Sequence, residues 1–143
     1  MCNEAYCSYE VAKLLKEKGF DWKCNGYFVV INKEEGTNAK FHICSVAGDA
    51  NNSDGNLINC DKFPHLEYVS APTQQMACQW LRIEKGIYVY AVYGDYPTLN
   101  EEYWVPEIGS LKDFIVSPDF YQEYNTPEDA VESALKYCLT ELI

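Results

Sequence analysis

A helix and a strand follow each other directly in residues 72–93, PTQQMACQWLRIEKGIYVYAVY. The apolar residues of the first part share one face at helical spacing: Met76, Ala77, Trp80 and Leu81. Gly86 can end this helix, because glycine readily adopts the left-handed backbone conformation found at helix C-termini. Residues 87–93 are apolar or aromatic at every position, which predicts a central strand with one face under helices.

A second strong helix signal lies at the C-terminal end of the sequence. Thr126 is the predicted N-cap, and Pro127 suits the first helical position. An apolar stripe follows at helical spacing: Ala130, Val131, Ala134, Leu135, Cys138, Leu139 and Leu142. We therefore expect an amphipathic helix over residues 126–143 with this stripe in the core.

The N-terminal half predicts a helix and then a hairpin. Ser8 is the predicted N-cap of a helix that Gly19 ends. Its apolar stripe is Val11, Leu14 and Leu15. The β-rich runs 27–31 and 41–46 predict two paired strands. Residues 47–62 are rich in Asn, Asp, Gly and Ser, which indicates a surface loop.

Two weaker strands are predicted in residues 103–105 and 114–116. Pro106 should confine the first of them to a sheet edge or end it early. The predicted order is α-β-β-α-β-β-β-α, with strands in runs between helices. This order favours an α+β fold, a mainly antiparallel sheet packed by about three helices. At 143 residues, the chain is expected to form a single domain over 1–143.

The chain is acidic, with 22 acidic and 11 basic residues and a formal net charge of −11. Such a charge repels phosphate backbones, so we expect no direct binding of nucleic acid. The ordinary role of this acidity is solubility. The more specific interpretations are a basic protein partner or mimicry of nucleic acid.

Seven cysteines are spread along the chain without a C-x-x-C pair. Their odd number and the absence of a signal-peptide pattern at the N-terminus favour a reducing, cytoplasmic setting with mostly unpaired thiols. No apolar run approaches the length of a membrane-spanning helix, so no membrane association is expected.

Four short motifs together resemble a group of small proteins encoded by phages and prophages of gut Bacteroidetes. They are VAKLLKEKGF at 11–20, APTQQ at 71–75, WLR at 80–82 and YNTPEDA at 124–130. No activity is known for this group, so the resemblance implies an intracellular, mobile-element origin and no site residue.

Two patterns suggest metal binding. Residues 49–56 resemble a calcium loop, but the glycine comes one place late and Cys60 stands where a bidentate glutamate should lie. His42 and Cys44 could share one strand face, with His65 or Cys60 as further ligands, but zinc sites have more closely paired ligands. We therefore predict no metal, no cofactor and no catalytic residue.

The leading hypothesis is a non-enzymatic module that binds a host or phage protein. Its contact surface is predicted on the tyrosine-rich sheet or in the loop 49–59. The sheet candidates are Tyr88, Tyr90, Tyr103 and Trp104, for which core packing is the alternative. Three other functions stay open: an acidic nucleic-acid mimic that blocks a host defence protein, a small-ligand binder such as a nucleotide sequesterer, and a thiol or metal enzyme using His42 and Cys44.

Overall fold

The computed structural model describes residues 4–31, 38–52, 66–96, 101–110 and 122–143. Its elements, in chain order, are α1 (Tyr9–Glu17), β1 (Cys24–Ile31), β2 (Ala39–Gly48), β3 (Leu66–Ser70), α2 (Gln74–Trp80), β4 (Ile87–Tyr96), β5 (Glu101–Ser110) and α3 (Pro127–Tyr137). α2 and α3 each continue into a π-helical turn, Leu81–Lys85 and Cys138–Leu142. All strand pairs are antiparallel in the described ranges, and the fold is α+β, as the sequence predicts.

The chain divides into two compact units, Met1–Thr73 and Gln74–Ile143. The first contains α1 and the three-stranded sheet β2-β1-β3, and the second contains α2, the β4–β5 hairpin and α3. That the two units form a single domain stays a prediction.

In the first unit, α1 forms where the sequence predicts it. The Ser8 side chain accepts a hydrogen bond from the backbone N–H of Val11 at 3.3 Å, which caps the helix. Val11 and Leu15 are buried, and Gly19 takes the left-handed conformation with φ of 89°. The predicted cap and end of this helix are therefore confirmed, and of its predicted stripe Val11 and Leu15 lie in the core while Leu14 is half-buried.

The sheet of the first unit buries one face of its central strand. Burial alternates along β1, with Phe28 and Val30 buried and their neighbours partly exposed. The core cluster of this unit joins helix and sheet through Ala12, Phe28, Val69 and Ala71. One helix thus covers the middle of the sheet.

The strand β3 is a correction to the sequence prediction, which has no strand between the loop 47–62 and the helix at the start of residues 72–93. Leu66–Ser70 pairs with β1, from Ile31 opposite Leu66 to Tyr27 opposite Ser70. This segment is only five residues long and ends two residues before Pro72, so its local pattern is weak and its pairing with β1 decides its conformation.

In the second unit, α3 begins as predicted, and its predicted stripe is buried except for Val131 and Leu142, which are half-buried. The Thr126 side chain accepts a hydrogen bond from the N–H of Asp129 at 3.2 Å. α3 and the turn after it pack on β4 and β5, and their fully buried residues are Ala130, Ala134, Leu135, Cys138 and Leu139. Gln74 of α2 ties the two helices together, because its amide nitrogen donates to the backbone oxygen of Glu128 and to a carboxylate oxygen of Glu132.

The hairpin strand β5 is longer than its predicted core of 103–105 and runs through Pro106, which lies opposite Ala91. Pro106 is tolerated because of the direction in which its nitrogen points. Two residues earlier, Trp104 directs its N–H and C=O to Tyr124 on the side away from β4. Since alternate residues of a strand direct these groups to the same side, Pro106 removes no hydrogen bond to β4.

Two strand predictions have different outcomes in the hairpin. Pro106 does lie in an edge strand, since β5 pairs with β4 in a two-stranded sheet within the described residues. For the same reason β4, predicted as a central strand, has β5 as its only strand partner in that part of the chain. The predicted strand 114–116 lies outside the described residues.

Candidate functional site

The register of the β4–β5 hairpin assigns its side chains to two faces. The pairing is continuous, from Ile87 opposite Ser110 to Tyr96 opposite Glu101. Residues that lie opposite each other share a face, and the faces alternate along each strand. One face carries Tyr88, Tyr90 and Val92 from β4 and Tyr103, Val105 and Glu107 from β5. We call these six residues the outer face.

The β4 residues of the outer face are exposed to solvent. Tyr88, Tyr90 and Val92 are 38%, 43% and 37% exposed, although valine and tyrosine in a strand are commonly half-buried. The opposite face contains the buried Ile87 and Ile108, and because α3 packs on both strands, this burial indicates that the helix lies on that face. The outer face is therefore the surface of the hairpin that α3 leaves open.

Trp104, predicted as part of the same site, lies on the opposite face of the hairpin. It pairs with Tyr93, and the two rings meet edge to face with centroids 5.3 Å apart. The reason is the period of two along a strand, which places Tyr103 and Trp104 on different faces. Tyr88, Tyr90 and Tyr103 are brought together, and Trp104 is not.

Tyr103 is held on the outer face by a glycine. It lies opposite Gly94, and its ring covers that residue so closely that an added Cβ would overlap the ring atoms. Packing of an aromatic ring over a cross-strand glycine fixes the ring position and compensates for the missing side chain. The ring of Tyr103 is therefore positioned before any partner binds.

Glu107 gives the outer face a negative charge beside a phenol. It lies opposite Tyr90, and a hydrogen bond between the two side chains, followed by desolvation and charge repulsion, raises the pKa of Tyr90. Tyr90 donates this hydrogen bond to the carboxylate, and the bond raises its pKa because it stabilises the protonated phenol.

The hairpin sequence contains charged residues of one sign only. Residues 87–110 contain four carboxylates and neither lysine nor arginine. The carboxylates belong to Asp95, Glu101, Glu102 and Glu107. Within a chain of net charge −11, this hairpin is an aromatic and aliphatic surface in a negative field.

The sequence prediction missed Val92, Val105 and Glu107. Val92 could have been found from the alternation that continues from Tyr88 and Tyr90. Val105 and Glu107 could have been grouped with Tyr103 by the same alternation in β5, but their position beside Val92 and Tyr90 depends on the register between the strands, which the strand sequences do not state.

The start of the predicted calcium-like loop has another role. The Asp49 carboxylate accepts hydrogen bonds from the backbone N–H groups of Asn51 and Asn52 and from the Asn52 amide, at 2.8–3.3 Å. The Asn51 side chain bonds to the backbone of Phe20 and Ser70. These groups build a turn, and the remainder of the loop, residues 53–59, lies outside the described residues.

His42 and Cys44, the predicted thiol or metal pair, lie on β2 in the first unit. The His42 ring stacks on Tyr27 with centroids 5.5 Å apart. Cys60 and His65 lie outside the described residues. Across the described ranges, no three His, Cys, Asp or Glu side chains gather in a way that could hold a metal ion.

The helices in the described ranges are too short or too polar to cross a membrane. Comparisons of the chain with protein-family models, with curated proteins and with solved structures found no significant match.

Proposed function

We propose that the chain is a non-enzymatic protein-binding module, a small accessory protein of a phage or prophage that acts in the host cytoplasm. The observation that supports binding is the outer face, where Tyr88, Tyr90 and Val92 lie exposed in one row. Tyrosine is enriched at interface centres because it buries a large area at little entropic cost and still offers a hydroxyl group. The phage or prophage origin rests on the sequence resemblance alone.

The expected partner is a protein surface with arginine or lysine around an apolar centre. The carboxylates of residues 87–110 favour such a surface electrostatically, and arginine can also stack on the exposed tyrosine rings. The lack of any lysine or arginine in the hairpin argues against a phosphate-containing ligand at this face.

A nucleic-acid mimic would have the same basic partner and would depend on different side chains. In a mimic the carboxylates provide the affinity, whereas in the proposed module the tyrosines do. Substitutions of the two residue types therefore separate the two functions.

The test starts from a partner captured from a lysate of gut Bacteroidetes, purified and titrated against the chain. The double variant Tyr88→Ser/Tyr90→Ser should weaken binding at least tenfold, because aromatic centres dominate such interfaces. Glu107→Lys should mainly slow association, and this effect should fade in high salt, since charges are screened over about 10 Å at 0.1 M. Ile83→Ser changes an exposed apolar residue outside the hairpin and should leave binding unchanged.

Unchanged affinity of the double tyrosine variant would overturn the proposal. If the same partner then lost its affinity with Glu107→Lys, the acidic mimic would take the place of the aromatic module. Far-ultraviolet circular dichroism of each variant would establish that the fold is intact.

A further inference from the structure

The strand β2 forms an open edge of the first unit's sheet. The strand order is β2-β1-β3, so in the described part of the chain β2 pairs on one side only. From Ala39 to Ile43 the pairing with β1 is regular, ending with Ile43 opposite Gly26. An open edge offers backbone N–H and C=O groups to an added strand.

One row of β2 side chains is apolar and exposed. Phe41 and Ile43 share the face on which Phe28 is buried, and they are 40% and 60% exposed. The Phe41 ring contacts Tyr6 and Phe28, with centroids 4.9 and 5.3 Å away. The core of the first unit thus continues to the sheet edge, where nothing in the described ranges covers Ile43.

The other row of β2 contains a lysine and a histidine. Lys40 and His42 alternate with Phe41 and Ile43 and point to the opposite face. Both are exposed, and Lys40 forms no ion pair within the described residues. Residues 39–48 contain no carboxylate, although the chain has 22 acidic residues.

These two rows define the side chains of a complementary strand. Apolar side chains on one face would extend the row of Phe41 and Ile43, and acidic side chains on the other would lie beside Lys40 and His42. A second copy of β2 fits less well, because it brings a further Lys40 and His42 and no carboxylate to the same edge.

We propose that β2 is a peptide-binding edge that takes up an extended segment with alternating apolar and acidic side chains by strand addition. In this mode the backbone hydrogen bonds supply affinity and the two rows supply specificity. The site lies in the first unit and needs nothing from the outer face of the hairpin, so it goes beyond the function proposed above.

The test uses the full chain, labelled with ¹⁵N, and two acetylated and amidated peptides, EVEVEVE and KVKVKVK. Addition of the glutamate peptide should shift the amide resonances of residues 39–43 and their β1 partners. The lysine peptide should bind about tenfold or more weakly, a difference of about 1.4 kcal/mol. Two further peptides carry N-methyl groups, one on the glutamate nitrogens and the other on the valine nitrogens. Alternate residues of a strand direct their N–H groups to opposite edges, and only one edge of the added strand bonds to β2. One of these peptides should therefore lose binding, and the other should retain it.

Two variants of β2 test the rows separately. Ile43→Lys changes an exposed side chain and should abolish binding of the glutamate peptide without unfolding the chain. Lys40→Glu should reverse the preference toward the lysine peptide. Tyr88→Ser/Tyr90→Ser is the matched control and should bind the glutamate peptide like the wild type, so failure here is distinct from failure of the proposed function.

Three results would overturn the proposal. They are shifts that lie outside β1 and β2, equal binding of the two peptides, and wild-type binding by Ile43→Lys. Sedimentation of the chain alone as a dimer that Ile43→Lys dissociates would identify a second copy as the occupant and would also reject the peptide.

Discussion

Tyr103 lies across the hairpin from Gly94 and fills the space that a side chain at position 94 would occupy. Gly94→Ala should therefore displace the Tyr103 ring and lower the free energy of unfolding by about 1–3 kcal/mol, as over-packing does. Chemical denaturation measures the loss, and tyrosine side-chain NMR reports the ring.

The matched control for this substitution is Gly109→Ala in the same hairpin. An added Cβ at Gly109 meets no atom within 4 Å, so this change should leave stability within about 0.5 kcal/mol of the wild type. Equal losses for both variants would show that hairpin glycines matter through their backbone conformation and not through the Tyr103 ring.

Leu135 is fully buried on α3, and truncating it leaves a cavity. Leu135→Ala should lower the free energy of unfolding by about 2–5 kcal/mol. Val131→Ala, on the same helix but only half-buried, should cost less. A loss below about 0.5 kcal/mol for Leu135→Ala would contradict the assignment of the α3 stripe to the core.

Glu107 should control the ionisation of Tyr90. Because the hydrogen bond to this carboxylate is the largest cause of the raised pKa of Tyr90, Glu107→Gln should lower that pKa toward the ordinary value of 10.0. Titration of tyrosine ring ¹³C resonances measures the change. Glu102→Gln, on the opposite face, should leave the pKa of Tyr90 where it is; an equal response to both substitutions would argue for a general charge effect.

Burial of two thiols makes stability sensitive to alkaline pH. Burial is the largest cause that raises the pKa of Cys78 to about 11 and that of Cys138 to about 12, from an ordinary value of 9.0. Between pH 9.0 and the raised pKa of each thiol, the unfolded chain releases thiol protons that the folded chain retains. The stabilisation from these thiols is thus complete below pH 9 and is lost as pH rises toward 11–12.

The measurement is the free energy of unfolding as a function of pH under reducing conditions. The double variant Cys78→Ala/Cys138→Ala should show a shallower decline above pH 9 than the wild type. Parallel curves for the two proteins would show that other groups cause the alkaline loss.

The sequence predicted those parts of the fold that depend on local chemistry. The caps at Ser8 and Thr126 and the buried residue Leu135 follow from side chains within one helix, and the structure confirms them. The strand β3 was missed because its stability comes from pairing with β1, far away in the sequence.

The candidate sites divide in the same way. Tyr88 and Tyr90 could be grouped on one face because they alternate within one strand. The same period of two, applied to β5, would have placed Tyr103 and Trp104 on different faces. Glu107 beside Tyr90 depends on the register across the hairpin. The exposure of Phe41 and Ile43 depends on how far α1 reaches over the sheet, which no local pattern encodes.

The irregular pairing at the end of β2 sets a limit on self-assembly. Gly48 pairs with Cys24 while Ile43 pairs with Gly26, so five residue steps on β2 lie opposite two on β1. This bulge confines the straight part of the edge to Ala39–Ile43, and Lys40 adds a charge within it. Bulges and lysines on open edges oppose the stacking of chains into fibrils, because they interrupt the flat, uncharged template that cross-β growth requires. Shortening the bulge would lengthen the straight edge and add the exposed Val46 to it. We would then expect the protein to aggregate more readily through this edge.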